Sequence, residues 1–124
     1  MEAGGLGKVY HQDGEIIVRQ GEVGNTMYVI QSGKAEVVED ADGRCVPLAV
    51  LGENDFFGEM ALFEDQVRSA TVRALGAVRV LTVDKKTLLR RIQQDSALAF
   101  RMLDHLCHRV RKLDSELGRI RTAQ

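Results

Sequence analysis

The chain has 124 residues, 44% of them apolar and 28% charged, which gives a globular composition with material for one core. No apolar run approaches the roughly 20 residues of a membrane span, and MEAGGLGKVY lacks the apolar centre of a secretory signal. The near-neutral total of 17 Lys+Arg against 18 Asp+Glu hides a split: residues 1–84 carry 7 basic and 14 acidic side chains, and residues 85–124 carry 10 and 4.

In chain order, residues 1–9 are Gly-rich and read as a flexible lead-in. From Glu15 to Val83 the apolar runs are short, β-branched and punctuated, the mark of strands. These runs are Ile16–Val18, Met27–Ile30, Ala35–Val38, Val46–Leu51, Ala70–Val72 and Val78–Val83. Turn signals fall at Asp13-Gly14, Gly21 to Asn25, Ser32-Gly33, Asp42-Gly43, Gly52 to Asp55 and Gly76. A spacing of about 10 residues suits an antiparallel sandwich or barrel-like roll, and the lack of βαβ alternation argues against a parallel nucleotide-binding sheet. The expected β-domain covers residues 10–84.

After Asp84 the period becomes helical. Asp84 is placed to cap a helix over Lys85 to Gln93, and Asp95 or Ser96 to cap a longer one reaching towards the C-terminus. In the long helix, Ala99, Leu103, Leu106, Val110, Leu113, Leu117 and Ile120 recur in steps of four and three, a heptad seam. Arg109 with Asp114, and Glu116 with Arg121, take positions that join opposite charges across a parallel two-stranded coil. The expectation is a parallel homodimer; the alternative is packing of the same stripe on the chain's own β-domain.

The chemistry is concentrated in residues 56–74, FFGEMALFEDQVRSATVRA. Gly58 lets a ligand approach the backbone, and the helical turn Glu59-Met60-Ala61-Leu62 begins with unpaired N–H groups that suit an anion. Arg68 brings a guanidinium able to hold two phosphate oxygens, and Ser69 adds a hydroxyl donor. Glu59 would repel a phosphate but accept from a ribose hydroxyl. No GxxxxGK[ST] loop is present, so the residues point to a singly charged phosphodiester of a ribonucleoside and not to a triphosphate. The alternative is an internal ion pair between Arg68 and Glu59.

FGEMAL followed by RSATVRA resembles the phosphate-binding cassette of the cyclic-nucleotide-binding domains, and GEIIVRQGEVGNTMYVIQSGKAEV resembles their first strands. The resemblance covers Tyr10 to Leu117. It implies a jelly-roll-like antiparallel β-roll (a double-stranded β-helix), followed by a hinge helix and a long C-helix over residues 85–124. It implies contacts to phosphate and ribose from Gly58, Glu59, Arg68 and Ser69, with the amides of Met60 and Ala61 nearby. Leu48 and Leu51 would wall the ring and ribose, and Leu113 and Asp114 on the C-helix would meet the base. The implied ligand is a 3′,5′-cyclic nucleotide, cAMP favoured over cGMP, with no cofactor, no catalytic residue and an unnamed effector. Two departures stand out: Val67 takes the place of the usual Pro before the Arg, which would loosen the loop, and Asn54 the place of a Gly, which Asn tolerates.

Other sites are weaker. His105 and His108 near Asp104 and Cys107 could hold zinc, but they fall on an outward helix face, so no metal is expected. Cys45 and Cys107 are too few for a disulfide framework or a cluster, which points to a cytoplasmic protein. The basic tail lacks aromatic interleaving and no helix-turn-helix follows, so this chain is not expected to bind DNA by itself.

Overall fold

The computed structural model describes residues 8–10, 12–64 and 67–123, except the side chains of 64, 113–114 and 116–123. Among the described residues six strands form one antiparallel sheet: β1 (Lys8–Tyr10), β2 (Ile16–Val18), β3 (Met27–Ala41), β4 (Arg44–Leu51), β5 (Phe56–Phe57) and β6 (Thr71–Val83). Helix α1 (Glu59–Glu64) interrupts the strands, and α2 (Lys85–Gln94) and α3 (Ala97–Ala123) follow them. The chain divides into two compact units, one up to Lys85 and one from Lys86 onward. The structure thus bears out a mainly β chain with C-terminal helices.

Two long strands carry the first unit. β3 and β6 pair along most of their length, β1 and β2 line the other edge of β6, and β4 and β5 line the other edge of β3. Register places Ile30 opposite Val80, Ala35 opposite Ala74 and Val37 opposite Val72. Their inward faces, with Val18, Phe57 and Val78, make the core. Fully burying a side chain the size of Ile30 is worth roughly 1.5–3 kcal/mol, so these strands hold the unit together. On the same strands Glu36 faces Arg73, whose Nε and Nη2 donate to Glu36 Oε1 at 3.1 and 2.9 Å. This hydrogen bond raises the Arg73 pKa.

Two expected turns are not turns. The segments Met27–Ile30 and Ala35–Val38 are one strand, β3, and Ala70–Val72 and Val78–Val83 belong almost wholly to one strand, β6. Gly33 and Gly76, with φ of 86° and 71°, sit where the β3–β6 register slips between Ile30 and Lys34. A bulge needs the same positive φ as a turn but bends a strand without reversing it. A Cβ at Gly33 would also collide with the carbonyl of Ala77 and come within 2.9 Å of Val78 Cα.

Other local readings agree with the structure. Asp42 and Gly43 have φ of 53° and 77° and join β3 to β4, the two positive values that a tight hairpin of this twist needs. Asn54 takes φ 73° in the turn before β5, and its N–H donates to Ile30 O at 2.8 Å. At the N-terminus, β1 pairs Lys8 with Val80 and Val9 with Arg79, so these two residues are strand and not lead-in. Residues 1–7 of that segment lie outside the described residues.

In the second unit, Asp95 separates the helices. Asp95 Oδ1 accepts from Ala97 N at 3.1 Å and so caps α3, as expected. Leu88 is buried and Ile92 half-buried on α2, while Leu89 is exposed.

Candidate functional site

Gly58 ends β5 with φ 82° and hands the chain to α1, which lies against β3. Within α1 the buried side is Glu59, Ala61 and Leu62, and the open side is Met60 and Phe63, each 59% exposed. Glu59 is only 6% exposed, an unusual place for a carboxylate and one that calls for hydrogen-bonding groups around it. Glu64 is the last residue of α1, and Asp65 and Gln66 lie outside the described residues.

Arg68 is the second buried charge, 9% exposed. Its backbone is held on both sides: Arg68 N donates to Glu22 O at 2.8 Å, and Gly21 N donates to Arg68 O at 2.9 Å. Val67 beside it forms a bridge with Val23. The backbone of Arg68 is thus paired on both sides without a proline before it. Arg68 Nη1 donates to Gly58 O at 3.3 Å, and the guanidinium lies 5.5 Å from the centre of the Tyr28 ring. Tyr28 stacks on Phe57, its partner across β3 and β5.

The structure therefore brings Gly58 and Arg68 together, with Glu59 and Ala61 in the turn that follows Gly58. Ser69 adjoins Arg68 and is exposed. Leu51 packs against the core cluster that contains Phe57. Leu48 is the extra residue of a bulge in β4, between the pairs Val38–Pro47 and Val37–Ala49, and is 47% exposed. Leu113 and Asp114 are helical residues of α3 in the second unit, and their side chains lie outside the described residues. Of the seam, Leu103 and Val110 are exposed and Leu106 is half-buried; the side chains of Leu113, Leu117 and Ile120 lie outside the described residues.

Sequence reasoning missed two neighbours of the guanidinium, Tyr28 and Gly24. By sequence, Tyr28 is only a strand residue and Gly24 only part of a turn. Nothing local marks either, because both meet Arg68 across 40 or more residues of chain.

A buried arginine donating to a glycine carbonyl at the start of a short helix, on an antiparallel sheet, defines a β-domain with an arginine–glycine cassette. The particular family follows from comparison: residues 8–95 match the model of the cyclic nucleotide-binding domain, and the chain belongs to that family. A cAMP-dependent protein kinase regulatory subunit of Schizosaccharomyces pombe is 43% identical over 88 residues, covering 71% of this chain and 21% of the relative. The cGMP-dependent protein kinase egl-4 of Caenorhabditis elegans is 41% identical over 81 residues, covering 63% of this chain and 10% of that kinase. Among solved structures, the catabolite activator protein of Thermus thermophilus superposes with a TM-score of 0.79 at 30% identity, over 90% of this chain and 52% of that one. The chain thus spans about a fifth of the kinase regulatory subunit and about half of the activator protein.

Proposed function

We propose that this chain is a regulatory, non-catalytic domain that binds a 3′,5′-cyclic nucleotide, cAMP in preference to cGMP, and transmits occupancy through α3 as a parallel homodimer. The observation that carries the reading is Arg68: a guanidinium 9% exposed, whose hydrogen-bond acceptor among the described residues is the neutral Gly58 O. A guanidinium has five N–H donors, so a singly charged cyclic phosphate completes it at little further desolvation cost. Glu59, adjacent to Gly58, suits the ribose hydroxyl. Relatives named for cAMP and for cGMP both match, which supports the nucleotide class; Ser69 beside Arg68 is compatible with cAMP, though a hydroxyl there also suits guanine N–H donors.

No helix among the described residues is long and apolar enough to cross a membrane, and no cluster of three or more potential metal ligands occurs among them. The proposed site is cytoplasmic and needs no cofactor. For the output, the ligand favours one arrangement of a two-state domain, shifting the population of dimers. The seam reading is supported by Leu103 at 61% and Val110 at 56% exposure, apolar positions uncovered in a single chain.

Titration of fluorescent cAMP and cGMP analogues against wild type and Arg68→Ala tests the reading. Tight binding by wild type, tighter for cAMP, and loss in the variant are expected. Equal, negligible binding by both proteins would leave a silent pocket in a dimerisation domain.

A further inference from the structure

Gly24 is a glycine without a backbone reason to be one. It does not have the positive φ that explains Gly14, Gly21, Gly33, Gly43, Gly58 and Gly76. What a Cβ there would meet is the guanidinium of Arg68, overlapping Nε, Nη2 and Cζ. Gly58 stands on another side of the same group, where a Cβ would lie 2.5 Å from Nη1. Tyr28 presents its ring to the group, and Gly58 O takes one of its hydrogens.

We infer that Gly24 is a positioning residue for Arg68: its missing side chain is the space in which the guanidinium lies. The inference rests on the reading that Arg68 receives the phosphate of a cyclic nucleotide. The group that Gly24 admits is the free end of a flexible side chain, not backbone. Adding a methyl at position 24 therefore displaces the guanidinium and leaves the fold in place. The loop that carries Gly24 also holds the backbone of Arg68, through Glu22 O and Gly21 N. One short segment thus sets both the root and the head of the side chain, and only the head responds to Gly24.

The test compares Gly24→Ala with Gly52→Ala. Gly52 has no positive φ, and nothing lies within 4 Å of an added Cβ there. In ligand-free protein, the Arg68 Nε–H cross-peak, assigned by its loss in Arg68→Lys, is expected to move in Gly24→Ala and to stay in place in Gly52→Ala. Gly24→Ala is expected to melt close to wild type and to bind fluorescent cyclic nucleotide about tenfold or more weakly, the loss of one charge-assisted hydrogen bond or more. A stationary cross-peak overturns the inference whatever the affinity does. So does a shifted cross-peak with unchanged affinity, and so does unfolding of the variant, which would mean that something stiffer than a side-chain end occupies the space. If wild type binds no cyclic nucleotide, the functional reading fails while the cross-peak still decides where Gly24 holds Arg68.

Discussion

Tyr28 and Phe57 stack with ring centroids 5.1 Å apart and planes 16° from parallel, and this pair links the core to the candidate site. Phe57 is a core residue, and Tyr28 packs against the same cluster. Tyr28 also lies under the Arg68 guanidinium at 5.5 Å. The side chain expected to bind the phosphate therefore stands over an aromatic floor fixed by strand pairing between β3 and β5.

Tyr28→Leu removes both the ring stack and the cation–π contact. Together these contribute about 1–2 kcal/mol to the ligand-free fold, so the variant should lose about that much stability and, with Arg68 no longer held over a ring, bind cyclic nucleotide severalfold more weakly. Tyr28→Phe keeps both faces of the ring and should bind within about twofold of wild type. Fluorescence titration of the two variants checks this; equal losses in both would show that the hydroxyl, not the ring face, matters.

Gly33→Ala should destabilise the first unit by about 2 kcal/mol or more, because φ of 86° is costly for Ala and the new Cβ strikes the Ala77 carbonyl. Gly52→Ala, with open space and an ordinary φ, should change stability by less than about 0.5 kcal/mol. Urea denaturation of the two variants measures the contrast. Similar midpoints would mean that the bulge relaxes.

Val110→Asp should give a monomer by light scattering at concentrations where wild type is a dimer. The side chain is 56% exposed in the single chain, so the charge costs the isolated fold little and acts on the seam. An unchanged mass would assign α3 to a different use.

The Tyr10 pKa is raised above its ordinary value of 10.0, first by burial and then by Tyr28 and Glu15. The folded state thus prefers the protonated phenol. This contribution is whole below the unfolded value and is lost as pH rises through the higher folded one. Wild type should therefore lose stability above about pH 10 more steeply than Tyr10→Phe. Melting temperatures of both proteins across that range are the measurement; parallel curves would remove Tyr10 from the account.

Much of the domain is legible in local chemistry. Asp42-Gly43 specifies a hairpin because both residues tolerate positive φ, and the observed 53° and 77° agree. Asn54 accepts φ 73° for the same reason. The change from β-branched runs to a heptad stripe places α2 and α3 after the strands, and Gly58-Glu59 with Arg68-Ser69 names the cassette. Ser32-Gly33 and Gly76 are ambiguous at that level, since a turn and a bulge ask the same freedom of one residue. Only the pairing partner decides which it is, and β3 and β6 pair on both sides of the slip.

The residue types and spacing by themselves determined an antiparallel β-domain, its helical tail and the arginine–glycine cassette expected to receive an anion. The tertiary structure decided that β3 and β6 run unbroken, that Glu59 and Arg68 are buried, and that Tyr28 and Gly24 surround the guanidinium. Backbone freedom, capping and period are properties of a residue and its near neighbours, so they are written locally. Burial and the space beside a side chain depend on which distant strands pack together, and no local pattern encodes them.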